Sequence, residues 1–329
     1  KKHILKYRQH KNFYMPAYYI SYFYWKVEMN TVRKLLKIDC IEEKGIIGQD
    51  IVVAILDTGM AEHPDLKEKI ILFKDFVGNR EKCYDDNGHG THVAGIIAGE
   101  SKDRFYGRMN INGIAKRSQL VVLKVLNAKG IGIEDKVIDG IKWIIDNYEK
   151  YNIKIVNISF GTIHNNCSEM RLIKYVEILW QLGLVVVAAA GNNGPDIGSI
   201  TVPGVSKKII TVGVVEDGKK VNVNGRYTSN YSGRGPTCEC IQKPDLIAYG
   251  NNIVSCNNNY KLKKYTVKSG TSMATPVVTG CAALLLSKYP ELKNIDVKRK
   301  MIESCKDVNL PANIQGAGVI NPVELLGVK

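Results

Sequence analysis

The sequence predicts an α/β fold in which a parallel β-sheet is covered by helices on both faces. Three observations lead there. Five runs are dominated by Val, Ile, Leu and Ala, stretches of helical period lie between or after them, and 329 residues that are 45% hydrophobic are enough to bury one large core. A strand apolar on both sides needs cover on both sides, which parallel sheets obtain from crossover helices.

The regular pattern begins near Thr31. IVVAIL (51–56), LVVLKVL (120–126), IKIVNIS (153–159), LVVVAAA (184–190) and IITVGVV (209–215) read as buried strands. Segments 89–99, 134–150, 168–182 and 272–288 read as helices. No internal repeat, low-complexity tract or Pro/Gly/Ser-rich linker divides residues 30–329, which are expected to form one domain. Residues 1–29 differ, with basic residues mixed into an aromatic run from Phe13 to Trp25. That run is too short to span a bilayer, and its tyrosines and proline do not suit a signal peptide. It is expected to be a basic, aromatic extension, either a pro-segment remnant, an amphipathic surface segment or sequence upstream of a start at Met29.

The net charge of +14 is uneven: residues 1–37 carry nine Lys/Arg against Glu28 alone, leaving only +6 for the remainder. A mildly basic surface of solvated lysines follows, and no nucleic-acid partner is expected. Eight cysteines form no CxxC pair and are too dilute for a disulfide scaffold. They are read as reduced thiols in a reducing compartment.

Three segments carry chemistry. Asp57 closes the first strand in AILDTG, at the sheet edge where catalytic groups of open α/β sheets collect, although such an Asp is also an ordinary turn former. His89 opens a helix in DDNGHGTHVAGIIAG, and His92 three residues on leaves a metal reading open. A zinc site would need a third ligand, and no partner of suitable spacing is visible, so no metal is expected. Ser272, in SGTSMATP, stands where a helix begins, as an N-cap or as a nucleophile with its oxygen at the positive end of the helix dipole.

Asp, His and Ser in that chain order, each in its own glycine-bearing motif, resemble the subtilisin-like serine proteases over about residues 31–329. D-T-G (57–59), N-G-H-G-T-H-V-A-G (87–95) and S-G-T-S-M-A-T-P (269–276) carry the likeness. The resemblance implies a subtilisin-like three-layer α/β/α fold and a serine endopeptidase with Asp57, His89 and Ser272 as its triad. It implies Asn192, in VVVAAAGNNG, as the oxyanion donor. Gly130, Ile131 and Gly132 on one edge, and Ser159, Phe160 and Gly161 on the other, would pair with the bound peptide. Ala189, Ala190 and Gly191 would wall the primary pocket, with Thr201 of ITVPG at its base where many relatives have glycine. No acid lies in these stretches, Asp196 belonging to a neighbouring turn, so a medium apolar side chain is expected before the scissile bond.

The resemblance implies no cofactor for catalysis and polypeptides as substrates. A structural calcium ion is conceivable at Asp65 in EHPDL, but the loop that wraps it in many relatives is replaced by residues 100–115. Tyr249 and Val277 stand where relatives often have proline and a second histidine. With 56 residues ahead of Asp57, no room for a folded pro-domain and eight cysteines, the chain resembles the leaderless intracellular bacterial branch. A cytoplasmic location is expected, a mature fragment of a secreted precursor being the alternative.

Overall fold

The computed structural model describes residues 28–101, 111–162 and 171–328. The expected extension up to residue 27, most of the replaced loop, Cys167 and the expected helix start at 168–170 lie outside the described residues.

The first four strands are β1 (Val52–Asp57), β2 (Ile70–Asp75), β3 (Gln119–Lys124) and β4 (Ile153–Ile158). They are followed by β5 (Val185–Ala189), β6 (Ile210–Val214), β7 (Val221–Val223), β8 (Arg226–Thr228), β9 (Leu246–Ala248), β10 (Ile253–Cys256) and β11 (Tyr265–Lys268). Seven of them form one sheet in the order β2-β3-β1-β4-β5-β6-β9, and every pair in it is parallel. β7–β8 and β10–β11 are separate antiparallel pairs.

The helices are α1 (Glu28–Leu35), α2 (Ile38–Glu43), α3 (His89–Ala98), α4 (Glu134–Asn147), α5 (Arg171–Gln181) and α6 (Thr271–Lys288). Three more, α7 (Asn294–Glu303), α8 (Ala312–Gln315) and α9 (Pro322–Leu325), finish the chain. β1 shows why the layers form: Val53 and Ile55 join the core that holds α3 and α6, whereas Val52, Ala54 and Leu56 join the core beneath α4 and α5. Two apolar faces at period two require two helical layers.

All five expected strands are present within a residue or two of their expected bounds. Two further strands complete the sheet. β2 lacks a continuous apolar run because it is an edge strand, half-exposed along most of its length. β9, three residues long, closes the other edge. Helix α4 stops at Asn147, ahead of the expected 150, where the chain turns through Asn152 in the left-handed conformation. At the amino end, the Arg33 guanidinium is fully buried and donates to the Gly113 carbonyl at 2.6 Å while pairing with Asp39 and Glu42 at 2.7 and 2.8 Å. That double engagement fastens α1 and α2 to the loop preceding β3.

Candidate active site

β1 stands where the chain changes direction across the sheet, with β2 and β3 laid to one side of it and β4 to the other, and ligands of such sheets bind at the carboxyl ends of the strands. A cleft of about 880 Å³ opens at that edge. His89, Ser272 and Asn192 all line it, although they come from α3, α6 and the turn after β5.

Asp57, the last residue of β1, is fully buried, and its Oδ1 accepts hydrogen bonds from the Thr58 backbone N–H and from His89 Nδ1, both at 2.7 Å. A proton on Nδ1 leaves the lone pair of His89 on Nε2, the tautomer a general base needs. Burial works against a charged imidazole, but the Asp57 carboxylate overrides it and holds His89 above its ordinary value, while Lys268 pulls the other way.

The amino end of α3 is secured by Asp85, which sequence reasoning missed. One of its carboxylate oxygens accepts from Gly88 N–H and Thr58 Oγ1, and the other from the N–H and hydroxyl of Thr91. A buried carboxylate thus meets the free N–H groups and positive end of the helix. Gly90 carries no side chain for a steric reason, since a Cβ there would collide with the Gly59 carbonyl oxygen. Lys124 was also missed: its buried ammonium donates to the carbonyls of Thr58 and Leu126 at 2.7 and 2.9 Å and to Asp86 at 2.7 Å. A lysine inside a strand otherwise apolar was the available signal.

Ser272 is the second residue of α6, and the N-cap position belongs to Gly270, so the capping alternative does not apply. Its half-buried side chain lies in the first turn and has no hydrogen-bond partner among the described residues. Asn192 Oδ1 accepts from the N–H and hydroxyl of Thr271 at 3.0 and 2.9 Å, which fixes the amide and leaves Nδ2 free to donate. Buried Asn157 in β4 connects the layers, donating to Ser159 Oγ at 2.9 Å and accepting from Thr279 of α6 at 2.8 Å.

Of the expected peptide-binding residues, Gly130, Ser159, Phe160, Gly161, Ala189, Gly191 and Thr201 line the cleft. Ile131 and Gly132 are exposed beside it, and Ala190 is fully buried behind its wall. Thr201 is held between the walls, its N–H bonded to the Ala190 carbonyl and its side chain against Gly161 and Gly191, where a Cβ would strike it. Its Oγ1 is buried without a hydrogen-bond partner. Asp196 is exposed and outside the cleft lining.

His92 Nε2 donates to the Ile253 carbonyl at 2.9 Å, and burial pushes its value down to about 3. That neutral ring is a core histidine one turn along α3. Among the described residues, one cluster has the donors for a metal, namely buried His63, Asp65 and Cys256. Its donors are already engaged: His63 Nδ1 accepts from the Asp65 N–H, Nε2 meets the Lys264 carbonyl, and Tyr265 donates to Asp65 at 2.7 Å. Burial also pushes the Cys256 thiol well up. One nitrogen and one sulfur beside a single carboxylate do not fit calcium, which takes six to eight oxygens.

A buried Asp–His pair and a serine at a helix start, set at one edge of a parallel sheet, define the class, and residues 48–318 match the Subtilase family, Peptidase S8, to which the chain belongs. Members of this family are serine endopeptidases, hydrolases that need no cofactor for catalysis.

Among its relatives, the chain is 40% identical over 299 residues to the serine protease AprX of Bacillus subtilis (strain 168), covering 84% of this chain and 66% of AprX. It is 33% identical to subtilisin DY of Bacillus licheniformis, over 87% of this chain and 94% of that one. Among solved structures, sphericase superposes with a TM-score of 0.71 at 32% identity, covering 83% of this chain and 92% of its own. A cold adapted subtilisin-like serine proteinase gives 0.65 at 28%, covering 84% and 88%.

Proposed function

We propose that residues 30–329 form a serine endopeptidase domain acting on polypeptides, with Asp57, His89 and Ser272 as its triad. The observation that carries this reading is the 2.7 Å bond from His89 Nδ1 to buried Asp57, with Ser272 lining the same cleft. His89 Nε2 takes the hydroxyl proton as Ser272 Oγ attacks the carbonyl carbon, and Asp57 stabilises the imidazolium. Negative charge gathers on the carbonyl oxygen, where Asn192 Nδ2 and the Ser272 backbone N–H donate to it. His89 then passes its proton to the departing amine, leaving an acyl-enzyme that water hydrolyses by the reverse sequence.

Residues 130–132 and 159–161 flank the peptide as antiparallel strands, and Ala189–Gly191 with Thr201 shape the pocket for the side chain ahead of the scissile bond. Thr201 shortens that pocket and no acid among the described residues lines it, which favours Leu or Met over aromatic and cationic residues. A reducing, cytoplasmic setting agrees with seven free cysteines among the described residues. Among those residues no helix is long and apolar enough to cross a membrane.

The test is labelling by a serine-directed fluorophosphonate, followed by cleavage profiling of a mixed peptide library. The wild type is expected to label and to cut after Leu or Met, and Ser272→Ala to do neither while keeping its circular dichroism spectrum. A protein that does not label is a silent subtilase fold, and dominant cutting after Lys or Arg would overturn the pocket assignment.

A further inference from the structure

Among the described residues, the charges that line the cleft are all of one sign. Lys129, on the loop before α4, and Lys268, at the end of β11, both line it, and among the described residues no Asp or Glu does. Neither ammonium has an ion-pair partner among the described residues. Asp57, behind His89, is fully buried and engaged by it.

Their placement distinguishes the two cations. Lys268 pairs across the β10–β11 hairpin with Ile253, whose carbonyl receives the ring of His92, so Lys268 stands beside the start of α3. Its charge is felt at His89, opposing the pull of Asp57. Because His89 must reach the departing amine, the residues that follow the scissile bond pass on this side. Lys129 immediately precedes Gly130, on the edge that flanks the peptide opposite residues 159–161, in the same cleft as the pocket for the side chain ahead of the bond.

We propose that the cleft selects acidic stretches of polypeptide, with Lys268 reading the residues that follow the scissile bond and Lys129 those that precede it. This rests on the peptidase reading given above. Half-buried Lys268 and exposed Lys129 each gain when a carboxylate is brought over them and lose when a second cation is, so a single position contributes with both signs, more strongly at Lys268.

Matched quenched-fluorescent peptides, identical except for Glu, Ala or Lys directly after the scissile bond, test this in the full chain. The wild type is expected to favour Glu over Lys by about tenfold in kcat/KM at low ionic strength, and the ratio should shrink at about 0.5 M salt. Lys268→Met should bring the ratio close to one, and Lys268→Glu should invert it. Lys129→Glu should do the same for a charge placed ahead of the bond. A wild-type ratio near one, or a ratio that Lys268→Glu leaves in place, overturns the proposal.

Binding of the same peptides to Ser272→Ala, read by fluorescence anisotropy, separates the two readings. If the wild type labels with fluorophosphonate but neither assay distinguishes Glu from Lys, the charge selection falls and the peptidase reading stands. If labelling fails while the acidic peptide binds more tightly and Lys268→Glu reverses the order, the cleft is acid-selective and the peptidase reading falls.

Discussion

Replacing Thr201 by glycine should open the base of the primary pocket, and the structure sets the size of the effect. The Thr201 side chain fills the space between Gly161 and Gly191, and its removal extends the slot without moving either wall. A benzyl side chain exceeds an isobutyl one by three carbons, worth about 2.4 kcal/mol if all are buried at about 0.8 kcal/mol each. Partial realisation at about 1.4 kcal/mol would still raise the Phe-to-Leu ratio of kcat/KM by about tenfold. The fold should tolerate the change, because the glycine penalty of about 1 kcal/mol is set against loss of a buried hydroxyl that has no partner. Matched peptides with Phe or Leu before the scissile bond measure the ratio. Thr201→Val, which keeps the shape and exchanges the hydroxyl for a methyl group, should leave the ratio unchanged while raising Tm. A Phe-to-Leu ratio in Thr201→Gly within twofold of the wild type would refute the placement of Thr201 at the pocket base.

Asn192→Ala should lower kcat by about 10²–10³ with little change in KM, since its Nδ2 acts on charge that develops during reaction; an unchanged kcat would remove Asn192 from the oxyanion site. Peptide hydrolysis should rise with pH through one ionisation above the ordinary histidine value of 6.5, because His89 must be neutral to accept a proton and Asp57 holds it upward. Stability moves in the opposite sense: the raised value stabilises the fold fully below the unfolded-state value and is lost as pH climbs through the folded one. A pH profile whose midpoint does not fall when Asp57 is replaced by Asn would contradict this coupling.

The buried centre of the sheet was legible because β1, β3, β4, β5 and β6 are apolar on both faces, a pattern no solvated segment can carry. β2 was not, since an edge strand keeps one side wet and gives no continuous run. The side chains of the site separate in the same way. Asp57, His89 and Ser272 announce themselves through glycine-bearing motifs that are local in sequence. Lys124 and the Asn157–Thr279 pair work mainly through partners far along the chain, so only the lysine's place in an apolar strand marks the first and nothing local marks the second, while Asp85 reaches back to Thr58 from among several neighbouring polar residues. Ser272 as an N-cap was the local reading of a serine at a helix start, but Gly270 occupies the cap because the chain enters α6 with positive φ.

The close seating of Gly90 against Gly59 settles how one half of this site is held. Main chain meets main chain there, and a Cβ on Gly90 would also come within 3.2 Å of the Asp57 side chain, so the start of α3 that carries His89 is seated directly on the strand end that carries the acid. Ser272 has a seat of its own: Gly270, two residues ahead of it, donates to the Gly250 carbonyl at 3.0 Å, and α6 packs its apolar side chains into the core shared with α3. Each half of the site thus rests on its own glycine-to-glycine seat, and a side chain added at Gly90 or at Gly250 should displace one catalytic residue and leave the other in place.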